Sequence, residues 1–407
     1  DDHIWVIEAL AHAVKNECYE VGMGLVNYLT AIDEGRLTIR DKAKSLPLII
    51  STYIAFGNYK QAKAILFKWG SYSPANDVII SISNILVDPE ELASSDLSLP
   101  SGKLNSYLID SLIDKNLIAE GKLLHLYLLN TKFFESNPQN YLLLFNYFRV
   151  KNIDLANSIF NKFTRKYNLP EIYFSNEDNF LKGISHNYEE EEEVGPKISV
   201  IVSCFNAEDT IEYAINSLLN QSYKNIEILI GDDCSEDQTW EILNNLANID
   251  ERIILFKSDS NQGPYNIRNK LIDNSSGEFI TFQDADDYSL PNRIELQLKT
   301  ILAEKTIACT CRWIRITPSG RVIFFKDQAA LRMSVVSLMM HRNVYETLGN
   351  YRPTSYASDT EYFENIKLNF GIESISTIKS PLILGLWGEN SLTRSKGSEA
   401  LEDGYRA

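Results

Sequence analysis

The sequence predicts an α/β protein: a doubly wound, mostly parallel sheet with helices on both faces, preceded by an all-α helical region. Three observations predict it. Near-continuous apolar runs alternate with helical patterns between residues 197 and 283. Parallel strands buried on both faces read this way. Polar or acidic residues cluster where these runs end, the edge at which open α/β sheets bind ligands. The first 190 residues, in contrast, carry long helical patterns and few strand signals.

Two segments of that first region share one pattern. Tyr53 to Leu66 and Tyr147 to Phe160 each have a small-residue or turn hinge followed by an Ala-containing helical stretch. Each resembles a tetratricopeptide-like helical hairpin, a unit that binds partners or positions an active site when stacked. Plain helical packing on the sheet domain is the alternative. We therefore expect an all-α domain over 1–187. An acidic linker is expected next, at 188–196, because the glutamates from Glu189 to Glu193 repel one another and do not pack.

The sheet domain is expected over 197–395, with a tail at 396–407. Lys197 to Phe205 is the first apolar run, and Ile211, Ala214, Ile215, Leu218 and Leu219 form the stripe of the following helix. Ile226 to Ile230 is the second strand, ending in Gly231-Asp232-Asp233-Cys234-Ser235, before a helix with Trp240, Ile242 and Leu243 apolar. Ile253 to Phe256 is the third, followed by Asn261-Gln262-Gly263-Pro264 and a helix through Leu271. The fourth begins at Glu278 and ends in Asp284-Ala285-Asp286-Asp287. An Asp-x-Asp at a buried strand exit puts two carboxylates on the ligand edge, where they can hold Mg²⁺ or Mn²⁺ against substrate phosphates. A dinucleotide fold would need G-x-G-x-x-G after the first strand, and here that turn reads Ser-Cys-Phe-Asn-Ala-Glu.

Composition excludes other classes. The net charge of −16 argues against a nucleic-acid binder and against simple attachment to anionic lipid. No apolar stretch reaches membrane-helix length; the nearest, 46–56, is broken by Pro47, Ser51 and Thr52. No secretory leader is visible. Five cysteines, without C-x-x-C, fit a reducing compartment. Cys309 and Cys311 read as core residues on one strand face.

These motifs, in this order and spacing, resemble the GT-A nucleotide-sugar glycosyltransferases of family 2. The residues that carry the resemblance are Ser199 to Glu208, Gly231 to Ser235, Asn261-x-Gly263 with Arg268-Asn269, and Asp284 to Asp287 with Pro291 and Arg293. It covers roughly 196–395. It implies that Asp233 accepts a hydrogen bond from the base or ribose, whereas Asp232 and Ser235 fit better as local caps. Ser203 and Phe205 would line the base pocket; the family usually has Pro-Thr-Tyr-Asn where Ser203-Cys204-Phe205-Asn206 stands, so a tyrosine hydroxyl contact is lost. Glu208 matches the family's acid two residues after Asn. Gly263 would let the backbone approach phosphate, and Arg268 would pair with the pyrophosphate. Asp286 would bind the metal, with Asp284 nearer the ribose or on the metal through water, while Asp287 would cap the turn before Pro291.

The same resemblance makes Asp359 the base, at a helix start after a Gly turn, with Glu361 in reserve. Ser358 stands where the family often has Glu, and Gly388 where it often has His. His341 reads as structural. The implied activity is inverting, metal-dependent (Mn²⁺ or Mg²⁺) transfer of a sugar from a nucleotide diphosphate, UDP above all, to a glycan or lipid-linked glycan acceptor. Lys, Asn and Ile richness suggests an AT-rich bacterial source and hence capsule or surface-polysaccharide assembly. The expected location is the cytoplasm, including the inner face of the membrane. The rivals are an inactive helical-repeat scaffold that binds nucleotide sugars and a sugar nucleotidyltransferase.

Overall fold

The computed structural model describes residues 137–175, 180–188, 195–325, 329–354 and 357–388. Within the first 65 residues it describes helices α1 (Ile4–Lys15) and α2 (Tyr19–Ala31) and separate positions between 37 and 65. Most of 53–66, the glutamates 189–193 and residues 389–407 lie outside the described residues.

The chain divides into two compact units: 1–144 with 324–329, and 145–323 with 330–407. In the first, α1 buries Val6, Leu10 and Ala13, and α2 buries Val26 and Leu29. Thr38 and Asp41 bond each other's backbone N–H reciprocally at 3.1 Å, a capping arrangement that starts a helix.

The second unit opens within helix α3 (Tyr141–Phe148) and continues through α4 (Ile153–Lys166). The turn between them falls inside the segment 147–160, where a helical hairpin is expected. Asn152 caps α4 by accepting from Leu155 N at 3.0 Å. The segment after α4 departs from the all-α expectation for 1–187. Strands β1 (Glu171–Phe174) and β2 (Ile184–Asn187) form an antiparallel hairpin. Its cause lies in α4: the Asn157 amide donates to Phe174 O and accepts from Phe174 N, and Asn161 accepts from Ile172 N at 2.8 Å. Phe145, Phe160, Phe174 and Phe180 pack ring to ring beneath it. From sequence the domain boundary falls at 187/197; the compact units part at 144/145.

The sheet comprises β3 (Ile198–Cys204), β4 (Ile226–Asp232), β5 (Ile253–Lys257), β6 (Phe279–Asp284), β7 (Asp287–Ser289), β8 (Ala308–Ile316), β9 (Leu331–His341) and β10 (Ile375–Leu386). Their order is β5-β4-β3-β6-β9-β8-β10-β7. The pairs β3·β4, β4·β5, β3·β6 and β8·β10 are parallel. The pairs β6·β9, β8·β9 and β7·β10 are antiparallel.

Helices cover both faces. On one, α5 (Ile211–Leu219), α6 (Thr239–Ala247) and α8 (Arg293–Glu304) pack Ile211, Ile215, Leu243 and Ile294 against Val200, Val202 and Ile228. On the other, α7 (Pro264–Asp273), α9 (Arg342–Leu348) and α10 (Ser358–Phe370) pack Ile267, Leu271, Val344 and Phe363 against Ile201, Leu229 and Ile280. Two-sided burial is why these strands are apolar at successive positions. Cys309 and Cys311 are both buried, as expected. The face that holds α7 and α10 carries one further tie: the Asn269 amide donates to Tyr351 O and accepts from Tyr351 N, both at 2.8 Å. Gly231 admits α7 closely, since a Cβ there would stand 2.3 Å from Ile267 Cγ2.

At the N-terminal edge of the strands, Glu227 is buried and fully engaged. It accepts from Ser199 Oγ at 2.7 Å, Ser276 N at 2.6 Å, Ser276 Oγ at 2.9 Å and Lys197 Nζ at 2.7 Å. Burial works against its ionisation, but these donors prevail and hold its carboxyl at about 2.

Candidate functional site

Register brings the strand exits level. Ser203 pairs with Gly231 on one side and Asp284 on the other, and Cys204 pairs with Asp232. The loops after β3, β4, β5 and β6 therefore meet at one edge.

The β3 and β4 loops are stapled together. Asn206 N donates to Ser235 Oγ at 2.9 Å, and Glu236 N returns to Asn206 Oδ1 at 2.9 Å. The Glu208 carboxylate accepts from Gln238 N at 2.9 Å, just before α6, while Glu208 N donates to Asp237. Glu208 thus holds the second loop in place. Asp232 accepts from both Ser235 N and Ser235 Oγ, the local capping expected of that pair. Phe205 stands out of this scaffold with 47% of its surface exposed, and Ser203 beside it is half-buried. A large aromatic held at a strand exit with a free face can stack on a planar base.

Asp233 does something sequence did not foretell. Its two oxygens accept from Gln262 N and Gly263 N, each at 2.7 Å. Its carboxylate binds the loop that opens α7. Gly263 has φ +86, a conformation that favours glycine, and a Cβ there would meet nothing within 4 Å. Backbone can be approached closely at this point, although the Gly263 N–H is already given to Asp233.

The β6 exit gathers three carboxylates. Asp284 ends β6 and Asp287 begins β7. Arg268 is only 5% exposed and donates to Asp284 Oδ1 at 2.6 Å. Burial disfavours its charge, but Asp284, with Tyr265, Asp359 and Tyr351 adding to it, outweighs burial and holds the guanidinium protonated. Its guanidinium lies over the rings of Tyr265 and Phe282. Arg268 is therefore neither a surface residue nor an unengaged one. Burial, then the charge of Asp284, raises the Asp286 carboxyl to about 6, with Arg315 opposing. Asp287 is raised well above its ordinary value by burial and by Asp286. It does not cap the turn before Pro291. It faces β10, accepts from Leu386 N at 3.2 Å, and leaves Oδ2 buried without a hydrogen-bond partner. Pairing of β7 with β10 draws it inward. Arg315 lies 3.9 Å from Asp287 and stacks on Trp313 at 3.5 Å, with Trp387 5.7 Å away. Its part in the acid cluster is invisible in sequence because β8 and β10 meet only in the folded sheet.

Asp359 sits in the first turn of α10, after Ala357 in the left-handed region at φ 66. Its Oδ1 accepts from Tyr265 Oη at 3.1 Å and from Thr360 N at 2.8 Å. Glu361 is ion-paired to Arg352 at 3.0 Å. His341 accepts from Asn343 N at 3.2 Å and caps α9, a structural role. Gly388 follows β10 and Trp387, at the end of the described residues.

Among the described residues, no group of three or more His, Cys, Asp or Glu is arranged to hold a metal by itself, and no helix is long and apolar enough to cross a membrane.

This fold and this edge define the class: an α/β domain with a mixed sheet whose parallel strand exits carry an exposed aromatic and a crowded acid cluster. Residues 199–357 match the family model described as glycosyl transferase family 2. Over that stretch the chain is similar to family 2 glycosyltransferases. Over 108 residues it is 40% identical to the UDP-Glc:alpha-D-GlcNAc-diphosphoundecaprenol beta-1,3-glucosyltransferase WfaP of Escherichia coli, covering 26% of this chain and 42% of that one. Over 178 residues it is 31% identical to EpsE of Bacillus subtilis, covering 39% of this chain and 61% of the relative. The chain thus spans less than two thirds of either relative. Among solved structures, S. aureus TarS 1–349 in complex with UDP-GlcNAc aligns with a TM-score of 0.41 at 22% identity, covering 49% of this chain and 61% of that one.

Proposed function

We propose that the domain moves a sugar from a UDP-sugar to a glycan or lipid-linked glycan, with inversion, in the assembly of a bacterial surface polysaccharide. One observation carries this reading. The acid cluster of Asp284, Asp286 and Asp287 lies on the same sheet edge as exposed Phe205, and Arg268 and Tyr265 connect it to Asp359. Donor-side and acceptor-side chemistry thus share one edge. The E. coli relative, named for a UDP-Glc donor and a diphosphoundecaprenol acceptor, supports the choice of substrates. The protein would work in the cytoplasm or at the inner face of the membrane.

Phe205 and Ser203 receive the base. Asp233 holds the Gln262–Gly263 turn so that the α7 N-terminus faces the diphosphate. The acid cluster fits a divalent cation, Mn²⁺ or Mg²⁺: Asp286 is raised by burial and then by Asp284, and Asp287 Oδ2 has no hydrogen-bond partner, so positive charge is favoured there. Asp286 would hold the ion, with Asp284 beside it, and substrate phosphates would supply further ligands. When bound, the cation supplies charge that favours departure of the diphosphate. Asp359 takes the proton of the acceptor hydroxyl as its oxygen attacks the anomeric carbon from the side opposite the nucleotide. The helical N-terminal region, 1–187 as read from sequence, would engage a partner protein.

The test is turnover of UDP-glucose and UDP-N-acetylglucosamine with Mn²⁺ and polyprenyl-diphosphate-linked GlcNAc. We expect UDP as the nucleotide product. Pyrophosphate release instead would make the protein a nucleotidyltransferase, and UDP-sugar binding without turnover of any donor would return it to an inactive scaffold.

A further inference from the structure

We propose that Tyr265 is the positioning residue of the base, and that α7 makes donor-side and acceptor-side geometry a single unit. The proposal rests on the assignment of Asp359 as base and goes beyond it.

Tyr265 lies on the first turn of α7, next to the Gly263 turn. Its hydroxyl reaches across to α10 and donates to Asp359 Oδ1 at 3.1 Å. Burial, with Asp359 adding to it, raises the Tyr265 phenol, so it keeps its proton and stays a donor. Thr360 N binds the same Oδ1. Two donors on one oxygen fix the carboxylate plane and leave Oδ2 for the acceptor hydroxyl.

The ring is itself held. It stacks on Tyr351 at 6.1 Å between centroids, and Tyr351 stacks on Tyr362 of α10 at 4.0 Å. Arg268, one turn along α7, lies over the Tyr265 ring and binds Asp284. Asn269 ties α7 to the backbone of Tyr351. The groups that face Asp359 are thus Tyr265 and Arg268 from α7 and Tyr351 from the preceding loop, with Asp284 behind Arg268. Glu361, on its own helix, is paired with Arg352.

Removing the hydroxyl while keeping the ring isolates the orienting bond. For Tyr265→Phe in the full chain, with UDP-glucose as probe donor, we expect kcat to fall about 5- to 50-fold, the share of a hydrogen bond to a charged group. The KM for UDP-glucose and the Tm should stay near wild type. A Tyr265→Phe enzyme with unchanged kcat, beside an inactive Asp359→Asn, overturns the proposal and leaves the base assignment standing. An active Asp359→Asn overturns both. A kcat loss that comes with an equal rise in KM and a lowered Tm makes Tyr265 merely structural and also overturns it.

Discussion

The two ends of the same sheet treat buried carboxylates in opposite ways. At the N-terminal edge Glu227 has four donors around it and its carboxyl is held at about 2. At the C-terminal edge burial, and the crowding of Asp286 and Asp287 with each other and with Asp284, raise both carboxyls against the opposing pull of Arg315 and of backbone N–H groups. One end satisfies its charge and gains stability. The other leaves charge unsatisfied, which costs stability unless a ligand completes it. Perturbed carboxylates of the second kind are a signature of functional edges.

The contrast between the edges is tested hardest at the ligand edge. Asp359→Asn keeps size and abolishes proton acceptance, so transfer should fall about 10²–10⁴-fold while UDP affinity stays within a few-fold. Glu361→Gln is the control, since Arg352 occupies that carboxylate; if Glu361→Gln stops transfer and Asp359→Asn does not, the roles are exchanged. Asp286→Asn should lower transfer by about a hundredfold or more, with no loss of Tm, because it removes a carboxylate that burial already disfavours. Near-wild-type transfer in that variant, or in EDTA, would take the cation out of the mechanism.

At the other edge the signs reverse. Glu227→Gln should leave turnover intact and lower unfolding stability by roughly 2–3 kcal/mol at pH 7. Because the folded carboxyl sits below its unfolded value, this stability is present in full above about pH 5. It is lost as pH falls towards about 2. Urea titrations across that range should show the mutant and wild type converging; a constant gap would mean that the charge of Glu227 is irrelevant. The smallest effect belongs to Phe205→Ala. Its exposed ring contributes little to folding, so Tm should hold while UDP affinity falls about tenfold, the worth of one stacked ring. Unchanged affinity would move the base pocket elsewhere.

Strands β3 to β6 and helix α5 were legible because two-sided burial writes itself locally as apolar runs and a 3.6-residue stripe. The acid cluster was legible for the same reason: it punctuates such a run. Long-range pairing was not. Nothing near Met340 says that β9 enters antiparallel between β6 and β8, and nothing near Arg315 says that it faces Asp287. The β1–β2 hairpin depends on amides of α4, 11 and 17 positions away in the chain, which periodicity does not see. The sequence does not show that the two oxygens of Asp233 hold the backbone of the loop that opens α7. Arg268 looked like a helix residue aimed at phosphate, and only burial and the contact with Asp284 reveal what it holds.

The Asn269–Tyr351 tie has a kinetic consequence. Its amide behaves as a strand neighbour would, offering one donor and one acceptor to a single peptide unit, yet it closes a span of 82 residues. Such a contact is expensive to form early and cheap to keep once the flanking helices have docked. The Tyr351 amide proton is therefore a clock for that docking. It should exchange with deuterium only when α7 and α10 separate, on the same timescale as the amides of Ile366 and Leu271, so that one slow peptide in an exchange experiment reports whether both halves of the site are assembled.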